Sequence, residues 1–109
     1  MWFNSKGVNK MPEYFFHDMI FSWDENKANS NMRKHGITFR EAMTVFNDSN
    51  ILYMYDDEHS DEEERFVVLG ISKESNLLVV CHCYRNNDTI IRIISARKAT
   101  NAEGKDYWR

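Results

Sequence analysis

From Ile51 to Ala96 the chain is a series of strand-length apolar runs separated by turns too short to hold a helix, and this limits most strongly what it can fold into. The runs Ile51 to Tyr55, Arg65 to Ser72, Leu77 to Tyr84 and Thr89 to Ala96 are rich in β-branched and aromatic residues. Lys73-Glu74-Ser75-Asn76 and Asn86-Asn87-Asp88 join the last three. Strands joined by so few residues run antiparallel, because a parallel crossover takes a dozen residues or more. The remaining connection, Asp56 to Glu64, reads DDEHSDEEE, with seven acids in nine positions, and self-repulsion makes it a solvated loop.

The first half reads differently. Ile20-Phe21-Ser22-Trp23 is a short strand, after which the Asp24 side chain can accept from the open amides of a helix over roughly 25–34, with Gly36 as its left-handed stop. Thr38-Phe39-Arg40-Glu41 has the form of a capping box. Behind it Phe39, Ala42, Met43 and Phe46 make one apolar stripe of helical period, which Asn47-Asp48-Ser49-Asn50 ends. A second capping box, Thr100-Asn101-Ala102-Glu103, opens a final helix near Asn101 that carries Tyr107 and Trp108. The expected architecture is α+β: two N-terminal helices packed on an antiparallel sheet of about four strands, closed by a short C-terminal helix. A chain of 109 residues, 42% of them hydrophobic, suits one domain with its own core. Residues 1–18, which open without periodicity, are set aside as an N-terminal extension, and 19–109 are taken as the domain. No apolar run approaches the roughly 18 residues of a membrane span. Cys81 and Cys83, two apart in one strand, are badly placed to bridge each other. A cytoplasmic protein with no membrane partner is expected.

The net charge of −3 conceals a segregation, since without the acidic loop the remaining 100 residues carry +4, and from Arg65 onward eight bases face four acids. That half is compatible with a phosphate-bearing partner. Arg65, Arg85, Arg92 and Arg97 come from three successive strands, and their planar forks suit phosphate; singly, each is an ordinary solvated edge residue. A three-residue loop at Asn86 to Asp88 sets His82 opposite Arg92 and Tyr84 opposite Ile90 on one face, whereas a one-residue change in loop length sets Arg92 opposite Cys83. His59, in the acidic run, should hold its proton longer than usual, as a general acid or as a buffered loop residue. Lys34 and His35 end the first helix, where cations complement its dipole. Alternation sends His82 away from Cys81 and Cys83, so Cys81-His82-Cys83 is a poor metal cluster, and no metal or other cofactor is expected.

Taken together, Phe21-Ser-Trp-Asp-Glu-Asn-Lys27, Asn31-Met-Arg-Lys-His-Gly-Ile-Thr-Phe-Arg-Glu-Ala42, Val45-Phe46, His59-Ser60, Glu63-Glu-Arg65, and Arg92-Ile-Ile-Ser-Ala-Arg-Lys-Ala99 with Glu103 and Tyr107 strongly resemble the BrnT toxin family over about residues 20–108. The resemblance implies a RelE-like ribonuclease fold, a type II toxin that cleaves RNA and halts translation, and a BrnA-like antitoxin that neutralises it and through which alone DNA is contacted. The residue inventory itself points to a metal-free route in which the RNA 2′-hydroxyl attacks the adjacent phosphate. That route needs a base, an acid and cations on the phosphorane. Arg65, Arg92 and Arg97 are assigned to charge, His59 or His82 to proton transfer, and Glu64 to base or arginine orienter. Lys34, His35, Tyr84, Arg85 and Tyr107 are assigned to RNA contact, with Tyr84 or Tyr107 stacking on a base. The rival reading is a non-catalytic RNA- or protein-binding module using the same basic face.

Overall fold

The computed structural model describes residues 11–59 and 63–109, so the first ten residues of the expected extension and the middle of the acidic loop lie outside the described residues. In chain order the elements are β1 (Glu13–Phe16), β2 (Met19–Ser22), α1 (Glu25–His35), α2 (Phe39–Met43), a 3₁₀ turn (Thr44–Asn47), β3 (Leu52–Tyr55), a second 3₁₀ turn (Asp57–His59), β4 (Phe66–Ile71), β5 (Leu77–Arg85), β6 (Ile90–Lys98) and α3 (Asn101–Tyr107). The fold is α+β, with one six-stranded mixed sheet in the order β1-β2-β6-β5-β4-β3.

Local chemistry sets the helices where the sequence placed them. Asp24 Oδ1 accepts from the amides of Asn26 and Lys27, and Gly36 closes α1 at φ 71°, in the left-handed region. Thr38 Oγ1 caps α2 through the Glu41 amide at 3.0 Å. The Glu41 carboxylate does not reach back as a capping box would; it accepts from Ser72 Oγ and Asn76 Nδ2, both at 2.7 Å, and pins the β4–β5 turn to the helical layer. At Thr100 the capping box is complete.

The expectation of about four antiparallel strands is corrected to six. β1, within the segment set aside as an extension, forms an antiparallel hairpin with β2, the strand expected near Ile20 to Trp23, and β2 then lies parallel to β6 with Phe21 beside Ile91 and Ser22 beside Arg92. The long return from β2 through α1, α2 and three strands allows that parallel join. The helices bury one face of the sheet: Phe21, Trp23, Ile37, Phe39, Met43, Val45, Phe46, Val68, Leu78, Val80 and Ile93 form the core. Buried Asn31 locks α1 to the sheet, donating from Nδ2 to the carbonyls of Ile37 and Ala96 and accepting the Ala96 amide at Oδ1.

Register on β5–β6 decides the site. Asn86, Asn87 and Asp88 all take left-handed conformations, with φ of 54°, 57° and 67°, which Asn and Asp tolerate best among non-glycine residues. The turn they build pairs Arg85 with Ile90 across four residues, and the Thr89 amide closes it on the Arg85 carbonyl. Arg92 therefore faces Cys83, and His82 faces Ile93. The expected pairing of His82 with Arg92 is overturned by that one extra turn residue. A bulge follows, since Cys81 pairs with Ser95 while His82 pairs with Ile93, leaving Ile94 as the additional residue.

Candidate functional site

Strand alternation divides the candidate residues between the two faces of the sheet. His82 lies on the helix-covered face, fully buried and ringed by Phe46, Phe66 and Tyr84, with its Nε2 3.4 Å from the Tyr84 hydroxyl. Burial drives its pKa down to about 4, against a weaker upward pull from the Val80 backbone, so the ring is neutral at physiological pH. Cys81 and Cys83 lie on the other face, and burial raises both thiols, Cys81 to about 11.

Two arginines lie beside Cys83 on that face, Arg85 in contact with it and Arg92 in register with it. Arg92 lies opposite Cys83 on β6 and donates from Nε to Ser22 Oγ at 2.9 Å. Arg85, two residues along β5, places Nη1 2.9 Å from Cys83 Sγ and grips Glu63 with both terminal nitrogens, at 2.5 and 2.9 Å. This fork, with burial opposing it, holds the Glu63 carboxyl below its usual range. Arg65, leading into β4, exerts its charge on both Glu63 and Cys81. Three arginines thus come from three neighbouring strands beside Cys81 and Cys83, with Arg85 in contact with Cys83 and Arg92 in register with it. Arg97 is not one of them. It lies five residues further along β6 and is held bidentately by Glu103 at 2.9 Å through each nitrogen, which fastens α3 to the sheet.

The other candidates disperse. Glu64 is exposed and lines, with Glu63, Phe66, Tyr84 and Asp88, a cleft of about 330 Å³ at the end of the sheet. Tyr84 therefore stands in an acidic cleft, on the opposite side of the sheet from Arg92. Lys34 and His35 are exposed at the end of α1, in the helical layer. Tyr107, expected to stack on a base, instead donates its hydroxyl to Asp48 at 2.5 Å. Burial first, and then that carboxylate, push its pKa up to about 12. His59 ends the 3₁₀ turn Asp57–His59, and its side chain lies outside the described residues. Glu63 and Ser22, which orient Arg85 and Arg92, were not singled out from the sequence. Glu63 was one acid among seven, and Ser22 is brought to Arg92 only by the parallel join of β2 and β6. Among the described residues no group of three His, Cys, Asp or Glu side chains is placed to hold a metal ion, and no helix is long and apolar enough to cross a membrane.

The sequence profile of the ribonuclease toxin BrnT of type II toxin–antitoxin systems matches residues 23–103, three-quarters of the chain and all three of those arginines. The chain belongs to the BrnT family. Among solved structures it is similar to the 1.1 Å crystal structure of the Brucella abortus ribonuclease toxin BrnT, with a TM-score of 0.53 and 21% sequence identity over 72% of this chain and 94% of that one. At that identity the likeness speaks for the fold. No curated protein sequence gives a match. Membership in the BrnT family makes this a ribonuclease toxin of a type II system, with RNA as its substrate class and an antitoxin as its partner. In this BrnT-family chain the profile begins at Trp23, so the β1–β2 hairpin lies outside the matched span.

Proposed function

We propose that this toxin is a metal-independent endoribonuclease that cleaves RNA by attack of a substrate 2′-hydroxyl on the adjacent phosphate, releasing a 5′-hydroxyl and leaving a 2′,3′-cyclic phosphate. The observation that carries the reading is that Arg65, Arg85 and Arg92 come from three neighbouring strands beside the two cysteines, on the sheet face opposite α1 and α2: Arg85 touches Cys83, Arg92 is in register with it, and Arg65 exerts its charge on Cys81. A pentacoordinate phosphorane carries more negative charge than the diester it forms from, so fixed guanidinium groups there favour the transition state over the ground state. Arg92 makes no ion pair with a described carboxylate and keeps its terminal nitrogens for phosphate. Arg85, oriented by Glu63, flanks it. The nucleophile is carried by the substrate, so no water needs activating, and what remains is one base and one acid. These fall to the segment that delivers Arg65, with Glu64 as base and His59 as acid. His82, buried and neutral, supports the ring cluster, and Arg97 holds α3. Loss of intact RNA halts translation in the cytoplasm, a BrnA-like antitoxin neutralises the toxin, and DNA is contacted only through that antitoxin.

One observation favours the rival, a non-catalytic module binding through the same face: Arg85 already has a carboxylate partner in Glu63, which offsets the charge it could place on a phosphorane. Incubation of the purified chain with a labelled RNA in EDTA distinguishes the two. Cleavage with cyclic-phosphate ends, falling about 10²- to 10³-fold in Arg92→Ala, supports the enzyme. Salt-sensitive RNA binding with no cleavage supports the module.

A further inference from the structure

Strand β3 is the outermost strand on its side of the sheet and is hydrogen-bonded to β4 alone among the described residues. Its four side chains, Leu52, Tyr53, Met54 and Tyr55, are 42, 60, 66 and 44% exposed. They project to both faces. The register puts Tyr53 and Tyr55 on the side of Val68 and Phe66, and Leu52 and Met54 on the side of Leu69 and Val67. Natural edge strands are guarded by shortness, a lysine, a proline, a bulge or an inward charge; β3 is short, at four residues, but Leu-Tyr-Met-Tyr carries none of the others. Its outer backbone N–H and C=O groups form a template for one more strand.

The surrounding charge selects the occupant. Asp56, Asp57 and Glu58 follow β3 directly and begin the run of seven acids. Beside Phe66, which meets Tyr55 edge to face, the cleft carrying Glu63, Glu64 and Asp88 opens. A second copy of this chain brings the same acids to the same edge and gains no charge complement. We infer that β3 takes up an extended, basic segment of a protein partner by strand addition. Its alternate apolar side chains lie on Tyr53 and Tyr55 on one face and on Met54 on the other, while its Lys or Arg residues meet the acids at the Tyr55 end. Antiparallel addition, the more stable pairing per residue, places those basic residues ahead of the added strand. Phe66 and Tyr84 in the cleft wall offer ring faces to a cation held by the carboxylates. That this partner is the antitoxin rests on the toxin–antitoxin reading; the β3 edge and the acids Asp56 to Glu58 play no part in the RNA chemistry proposed above.

The test uses the full chain and two labelled synthetic peptides, one with Arg-Arg-Lys-Arg ahead of an alternating Thr-Val block and one with the blocks reversed. Fluorescence anisotropy should show saturable binding of the first, weakened about tenfold or more by Met54→Lys and by Glu58→Lys. The Asp56 amide bonds the Arg65 carbonyl, so by alternation the amides of Tyr53 and Tyr55 point away from β4, and hydrogen exchange should show these two newly protected in the complex. Met54 is exposed, so an unchanged urea midpoint in Met54→Lys shows that folding is intact. Arg92→Ala should bind the peptide as the wild type does, which separates this result from the fate of the ribonuclease reading. Equal binding of both peptides, undiminished binding by Met54→Lys, protection outside β3, or dimerisation through β3 without peptide would each overturn the inference.

Discussion

Arg97 and Glu103 grip each other through two parallel hydrogen bonds of 2.9 Å, and Glu103 also accepts the Thr100 amide that opens α3. The Arg97 fork, aided by that amide and opposed by burial, holds the Glu103 carboxyl down from 4.5 to about 2. Glu103→Gln keeps the size and one oxygen for the cap but removes the charge. At about 1.36 kcal/mol per pH unit, the displacement sets a ceiling of about 3 kcal/mol. The Arg97 and Glu103 side chains are 41 and 32% exposed, and solvent screening reduces the expected loss to about 1–2 kcal/mol. The folded state keeps the carboxylate ionised where the unfolded chain has begun to protonate. The contribution is therefore complete above about pH 4.5 and is lost as pH falls toward 2. Urea unfolding should separate wild type and variant by about 1–2 kcal/mol at pH 7, and by about half that or less at pH 3. A gap of the same size at both pH values would refute the charge argument. The variant also tests the assignment of Arg97: if Arg97 only fastens α3, RNA cleavage under native conditions is unchanged when Glu103 loses its charge.

His82 is buried and neutral at pH 7, so His82→Leu should leave the shape of the RNA-cleavage pH profile between pH 6 and 8 unchanged; loss of a titrating limb there would return His82 to the chemistry. Because its folded pKa is depressed, wild type should lose stability relative to this variant as pH falls from about 6.5 to about 4, measurable by urea titration. Asn31→Ala removes three hydrogen bonds and strands both backbone groups of buried Ala96; a cost of about 2–4 kcal/mol is expected, and a loss below about 1 kcal/mol would show that water or rearrangement replaces them.

The parts of the fold legible beforehand are those decided within a few residues. Asp24, Gly36, Thr38 and Thr100 act on amides or dihedrals no more than four positions away, so their roles can be read directly. Alternation likewise separated His82 from Cys81 and Cys83. Less was legible of the candidate site. Its three central arginines were named from the sequence, but Arg97 was grouped with them because a strand pattern does not show that Glu103, one turn into the next helix, closes back onto it. The Glu41 carboxylate could be paired with its own helix cap until Ser72 and Asn76, more than thirty residues away, turned out to hold it.

The chain by itself determined the helix segments, the later strand segments, three of the caps and the basic character of the second half, because period and local hydrogen bonding need no distant partner. Tertiary structure decided the rest: the parallel join of β2 to β6 that brings Ser22 to Arg92, the four-residue turn that sets Cys83 rather than His82 opposite Arg92, and the exposed β3 edge. Each depends on a register or a contact between remote segments, where one additional residue reverses which side chain faces which, and the hydrophobic pattern of a single strand does not encode that choice.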